Sequence, residues 1–397
     1  MVSNRVGPPV RGEDFFGRQH EQNQCWDLLE RDHLLLLAPR RVGKTSLMER
    51  LKETATQHRC EATYMSSADI EDEAAFVQRL CDSAAELSIW ESVGQGLSGS
   101  FVARTLKRVQ KVGIGVGSVE LTPQAKENWS ALGERLARTL DQHEGRWLFL
   151  VDEIPVFVLT LLRLDLSGER ARRFLTWFRS LRQRSDVQGR LRWLLAGSIG
   201  LDTVTARLGL GDTINDLHIY HLGAFSHKTA DHFLVELAKT HSLSFAEPVR
   251  ARILERVGWP IPFYLQLVFS ELRGLCHDIQ EEPTVTSVDR VFEDLLKPAK
   301  KGYFDYWRQR LSEELGRPDA GLAQSLLNAV AVDATGCSRD SLRQNLAKKV
   351  RPAAARDEKL RFLLDTLESD GYLVEEGGRF FFRSPLLREF WVRRVLP

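Results

Sequence analysis

Apolar positions follow two rhythms along this chain. The first half carries apolar runs: Leu34-Leu35-Leu36-Leu37, Trp147-Leu148-Phe149-Leu150-Val151, and, interrupted by Arg192, Leu191 to Gly197 closed by Ser198. A run without polar alternation belongs to a strand covered on both faces, as in a parallel sheet between helices. Ala62-Thr63-Tyr64-Met65-Ser66 reads as a further strand. Helical spacing fills the gaps. It covers a helix through Leu29, one from the glycine loop to about Thr56, Glu71 to Leu87, Asn128 to Leu140 and Leu166 to Ser185. Strand and helix alternate, so the expected architecture is an α/β three-layer sandwich with a parallel sheet.

After Leu222 the rhythm becomes helical. Ser226 to Lys239 and Glu247 to Val257 are amphipathic, and Gly258-Trp259-Pro260-Ile261-Pro262 breaks the chain before a helix from Phe263 to Leu275. Val288 to Leu311 and Gly321 to Val332 read as helices, followed by Ser338 to Val350 and Asp357 to Glu368. Two short strands, Gly371 to Val374 and Arg379 to Phe382, flank Glu375-Glu376-Gly377-Gly378, whose glycine pair suits a primed hairpin turn. Helices followed by a hairpin predict a winged helix-turn-helix. The expected domains are a flexible lead (1–14), an α/β core (15–222), a helical lid subdomain (223–285), and a linker helix with winged helix (286–397). Within the core, residues 91–123 are rich in Gly and Ser around a basic patch, Arg104 to Lys111. They read as an insertion that serves as a flap. Val112 to Gly117 lacks the preceding strand that a dinucleotide fingerprint needs.

Composition narrows the classes. The 397 residues suffice for two or three domains. With 55 Lys and Arg against 54 Asp and Glu, no global field demands nucleic acid or an anionic membrane. Five scattered cysteines have no zinc-ligand spacing, and a reduced cytoplasm is the expectation. No apolar run approaches the roughly 20 residues that span a bilayer. The longest, Val156 to Leu162, falls far short.

The chemistry concentrates after two strands. Ala38-Pro39-Arg40-Arg41-Val42-Gly43-Lys44-Thr45-Ser46 links the first strand to a helix, the layout of a phosphate-binding P-loop. Gly43 lets backbone approach a phosphate, Lys44 brings a point charge, and Thr45 offers a hydroxyl to Mg²⁺. The amides of Arg41, Val42 and Ser46 complete the cradle beside the helix N-terminus. Ala38 stands where glycine is usual, and Pro39 removes one loop N–H. At the end of the 147–151 run, Asp152 is placed to hold Mg²⁺ and Glu153 to activate water. The competing reading of that pair is two solvated acids after a core strand. Ser198 ends the third strong strand, where a hydroxyl can cap the strand end. The arginines of Leu166 to Ser185 (Arg170, Arg172, Arg173, Arg179, Arg182, Arg184) offer an arginine finger or a solvated face.

With these motifs in order, the chain resembles the prokaryotic and archaeal STAND-group ATPases within the AAA+-like P-loop NTPases. Phe16-Gly17-Arg18 looks like the lead-in motif near the base, and Pro39 to Ser46 is close to the family's P-loop. Asp152-Glu153 is similar to its metal and base pair, and Ala196-Gly197-Ser198 to its sensor, which implies a γ-phosphate sensor at Ser198. Gly258-Trp259-Pro260 with Pro262 to Gln266 resembles the helical-subdomain motif, and Arg383 to Arg388 with Trp391 the terminal winged-helix signature. The resemblance implies ATP or ADP binding with Mg²⁺ between the core and the helical subdomain, contacted by Arg18 and Pro260. It also implies slow or partner-stimulated hydrolysis and self-association or a protein partner. Arg207 is the nearest candidate for the family's post-sensor arginine.

The alternative class is a DNA-binding regulator or nucleic-acid loader that uses the winged helix. Arg339 to Pro397 holds 13 Lys and Arg against 9 Asp and Glu, a mild excess. Arg343, Lys348 and Lys349 are its candidate phosphate contacts, but no base-reading cluster accompanies them.

Overall fold

A computed structural model describes residues 2–88, 128–142, 144–186, 189–197, 200–279 and 281–396. The 91–123 stretch and Ser198 therefore lie outside the described residues. The chain groups into two compact units. One is Arg18–Leu37 with Lys44–Leu222, and the other is Met1–Gly17, Ala38–Gly43 and Gly223–Pro397.

The first unit is built on a parallel sheet. Its strands are β1 (His33–Leu37), β2 (Glu61–Ser66), β3 (Trp147–Asp152), β4 (Leu191–Gly197) and β5 (Leu217–His221), ordered β2-β3-β4-β1-β5. All four pairings are parallel, with Leu34 opposite Leu194, Leu150 opposite Leu194, and Ser66 opposite Asp152. Every residue of β1, β3 and β4 is buried, as expected of largely apolar strands covered on both faces. Side chains alternate between the two faces. Leu35, Leu37, Phe149, Val151, Trp193 and Leu195 meet α3 (Glu73–Ala84), α4 (Trp129–Asp141), α5 (Ile154–Leu164) and α6 (Glu169–Asp186). The helices α1 (Gln19–Leu29) and α2 (Lys44–Thr54) complete the sandwich.

Two elements here were not read from the sequence. The run from Val156 is part of α5, a helix whose Phe157, Val158 and Leu161 are fully buried. Strand β5 carries no apolar run because it is an edge strand, with His218, Ile219 and His221 exposed.

The second unit is mainly helical: α8 (His227–Thr240), α9 (Glu247–Val257), α10 (Pro262–Ile279), α11 (Val285–Leu295), α12 (Asp305–Leu315), α13 (Asp319–Val332), α14 (Arg339–Ala347), α15 (Ala353–Ser369) and α16 (Pro385–Arg394). (The short α7, Leu201–Arg207, belongs to the first unit.) The single helix expected over 288–311 is instead α11, a 3₁₀ turn at Pro298–Tyr303, and α12. Pro298 lacks an N–H and drives Lys297 into extended backbone, which ends the first helix. A small sheet, β6 (Cys337–Ser338), β8 (Arg379–Phe382) and β7 (Leu373–Glu376), packs with α13 to α16. Gly377 and Gly378 both take positive φ, so the hairpin turn is of the primed kind.

Candidate phosphate-binding and metal site

Strand β1 ends at Leu37, and the loop 38–43 delivers the chain to Lys44, the first residue of α2. Freedom at positive φ, which Ala38 does not supply, is taken by Arg41 (φ 66°) and Gly43 (φ 102°). Lys44 is 6% exposed, although Lys is almost never buried without a partner. Its partner is Asp152 at the end of β3: Nζ donates to Oδ1 at 2.6 Å. A second bond from Nζ reaches Glu153 Oε1 at 3.0 Å. Thr45 Oγ1 donates to Asp152 Oδ2 at 2.8 Å. Lys44, Thr45, Asp152 and Glu153 are thus brought together from two chain segments more than a hundred residues apart.

Asp152 is anchored from several sides. The Glu153 amide donates to Oδ1 at 2.9 Å, and Ser67 Oγ donates to the Asp152 carbonyl at 2.8 Å. Burial pushes its carboxyl up, but the Lys44 charge with the Lys44 and Thr45 hydrogen bonds outweighs it and holds the group below the usual range. Glu153 sits at φ 57°, ψ 32°, the left-handed region, immediately before α5. That unusual backbone turns its carboxylate to Lys44, a local conformation found preferentially at functional sites.

Tyr64 joins this group without having been singled out in the sequence. Its hydroxyl donates to Asp152 Oδ2 at 3.2 Å. Burial raises the phenol's pKa, and the neighbouring Asp152 raises it further, so Tyr64 stays a neutral donor. The signal was available: parallel pairing of β2 with β3 sets Ser66 beside Asp152. Tyr64, two residues earlier, then shares that face of the sheet.

The donor set around Asp152 suits Mg²⁺. One carboxylate and one hydroxyl, Asp152 and Thr45, are hard oxygen ligands, and this ion commonly takes few protein ligands beside phosphate oxygens and water. No cluster of three or more His, Cys, Asp or Glu able to hold a metal occurs among the described residues.

The remaining expected contacts are described within their own units. Arg18 is buried at the start of α1, where Nη1 donates to Glu21 at 2.6 Å. Pro260 is buried in the second unit, and its carbonyl accepts from Phe225 N. Arg41 does not extend its side chain as a free phosphate ligand. Its guanidinium lies 3.8 Å from the Phe263 ring centre and 4.0 Å from that of Tyr306, and Nη1 donates to the Tyr303 carbonyl at 3.0 Å. Burial pulls this guanidinium below its usual pKa. Val42 and Ser46 are buried.

The arginines of α6 are engaged inside their own unit. Arg182 is 1% exposed and forks onto Asp216 at 2.8 and 2.9 Å. Arg170 pairs with Glu73, Arg172 with Glu169, Arg179 with Asp212 and Arg184 with Glu134, while Arg173 lies over Trp129. Arg182 is thus a structural residue, while Arg172 and Arg184 keep exposed side chains.

No family model matches the chain, and no curated protein does. Solved structures do match in fold. A Walker-type ATPase of Pyrococcus abyssi has a TM-score of 0.61 at 20% identity, over 97% of this chain and 98% of that one. The ORC2 protein of Aeropyrum pernix, solved as ADPNP–ADP complexes, has a TM-score of 0.54 at 13% identity, over 98% and 94%. At such identities the likeness speaks for fold. The chain has the α/β fold of the P-loop NTPases, with a C-terminal helical region and small sheet. Among the described residues no helix is long and apolar enough to cross a membrane.

Proposed function

We propose that this protein is a cytoplasmic, STAND-like ATP-binding switch that hydrolyses ATP slowly and couples nucleotide state to a protein partner or to self-assembly. The observation that carries the reading is Asp152 bound at once by Lys44 Nζ and Thr45 Oγ1. The same three groups are those a bound Mg²⁺–nucleotide engages, so the residues are already within reach of their roles.

In this reading Lys44 moves its charge onto the β- and γ-phosphates, and amides of the Arg41 to Ser46 segment bond the phosphate oxygens. Thr45 and Asp152 hold the metal, which when bound neutralises charge on the transferring phosphoryl group. Glu153, released from Lys44, orients the attacking water and takes its proton. Ser198 is assigned as γ-phosphate sensor, and Arg18 and Pro260 as contacts to the nucleotide. The second unit reports the outcome, its C-terminal elements acting as a winged helix.

DNA has less support as the partner. Arg343 is engaged by Asp357 (Nη2 to Oδ2, 3.0 Å), and Arg379 is spent on the Thr335 carbonyl at 2.8 Å. The exposed positions of α15 include Asp357, Glu358 and Asp365 beside Arg361, and the hairpin tip carries Glu375 and Glu376. These carboxylates offset part of the mild basic excess of the segment, to which exposed Lys348 and Lys349 contribute.

The test is ATP hydrolysis by the purified chain, with and without duplex DNA, with Glu153→Gln as control. Turnover that is abolished in the variant and indifferent to DNA is expected. Turnover that rises with DNA and falls with salt would replace this reading by the DNA regulator.

A further inference from the structure

Two residues make the 38–43 loop unlike a glycine-rich cradle, and both are gripped by the C-terminal part of their own unit. Arg41 is held by Phe263, Tyr306 and the Tyr303 carbonyl. Its backbone stays in the left-handed region, which favours glycine, so the side-chain contacts maintain a conformation that Arg does not choose alone. Pro39 meets Gly371: a methyl group at position 371 would fall 3.1 Å from Pro39 Cγ and 2.4 Å from Trp259. Gly371 also has φ 82°, so backbone and space both require glycine there.

The two grips are joined behind the loop. Tyr306 lies on α12 beside Trp307, whose Nε1 donates to the Tyr264 hydroxyl at 2.8 Å. Tyr372 donates its hydroxyl to the Trp307 carbonyl at 2.6 Å. One turn on, Arg310 Nη2 pairs with Asp370 Oδ1 at 3.0 Å, and both side chains are buried. Asp370 and Tyr372 flank Gly371. A closed circuit therefore runs from Arg41 through Tyr306, Trp307 and Tyr372 to Gly371 and back to Pro39. The hairpin β7–β8 begins one residue beyond Tyr372.

We propose that Arg41 is a positioning residue, a latch through which the conformation of the phosphate loop and that of α12 and the β7–β8 hairpin are set together. The inference rests on the proposed nucleotide binding for its trigger, but not for its mechanical part. Planarity matters more than charge, because a guanidinium stacks on two rings and still donates an N–H, which an ammonium does not reproduce.

The test is amide hydrogen exchange on the full chain for peptides covering 300–310 and 370–382, in wild type, Arg41→Ala and Arg41→Lys. Without nucleotide, both variants are expected to exchange about tenfold faster at 303–307, as a contact holding a local opening is lost. With a non-hydrolysable ATP analogue, wild type is expected to change its exchange at 370–382. At analogue concentrations that saturate each protein, the variants should leave 370–382 unchanged. A shift at 370–382 in Arg41→Ala equal to that in wild type overturns the latch. Should wild type bind no nucleotide, the function proposed above fails, and the latch is then decided by the nucleotide-free comparison: unchanged exchange at 303–307 in both variants overturns it.

Discussion

The ammonium of Lys44 lies 2.6 Å from Asp152 Oδ1, with Asp152 only 2% exposed. A buried ion pair of this kind adds little net stability, because desolvation offsets attraction, yet removal of one partner strands the other. Lys44→Ala should therefore abolish ATP binding and also destabilise the first unit by about 3 kcal/mol, the cost of an uncompensated buried charge. Titration with a fluorescent ATP analogue beside a urea melt checks both. Unaltered affinity would show that the phosphate site is elsewhere.

Glu153→Gln keeps the shape of the side chain and removes its basicity. Binding should persist while turnover falls by at least about 100-fold, the usual share of a positioned base. Hydrolysis at the wild-type rate in this variant would sink the assignment.

The depressed pKa of Asp152 makes an acid-side prediction. A carboxyl whose folded pKa lies below its ordinary 3.8 contributes stability above that value and loses it as pH falls through the folded one. Melting temperature should then fall less steeply for Asp152→Asn than for wild type from about pH 5 to about pH 3. Parallel curves for the two proteins would remove Asp152 from the acid response.

Arg310 and Asp370 form a further buried pair, at 3.0 Å in the second unit. Arg310→Met alone should cost about 3–5 kcal/mol by leaving Asp370 charged and unpartnered. Adding Asp370→Leu should recover most of it. A urea-denaturation double-mutant cycle measures the coupling, and purely additive losses would contradict it.

Gly371→Ala faces strain from φ 82° and a contact of 2.4 Å with Trp259. A loss of about 2 kcal/mol is expected from overpacking and backbone strain together. Measured in a Trp259→Ala background, the cost of Gly371→Ala should fall by the packing share. A melting temperature unchanged by Gly371→Ala would mean that this junction yields freely.

Much of the fold was legible because burial on two faces leaves a plain mark. Leu34 to Leu37, Trp147 to Val151 and Leu191 to Gly197 are apolar at every turn of the pleat, apart from Arg192, whose Nε donates to the Leu29 carbonyl. Edge strand β5 left no such mark, since half of it faces solvent. Lys44, Thr45 and Asp152 were legible because loop and strand end each have a local grammar that needs no partner to be read. Tyr64 and the fate of Arg41 were not. Position 41 reads the same whether its guanidinium faces a phosphate or two aromatic rings, and only the packing of Phe263 and Tyr306, more than two hundred residues away, chose the rings. Local sequence determines which strands and loops form. Which side chain fills the space between distant elements is decided by close packing, whose partners are set by the fold and not by neighbours in the chain.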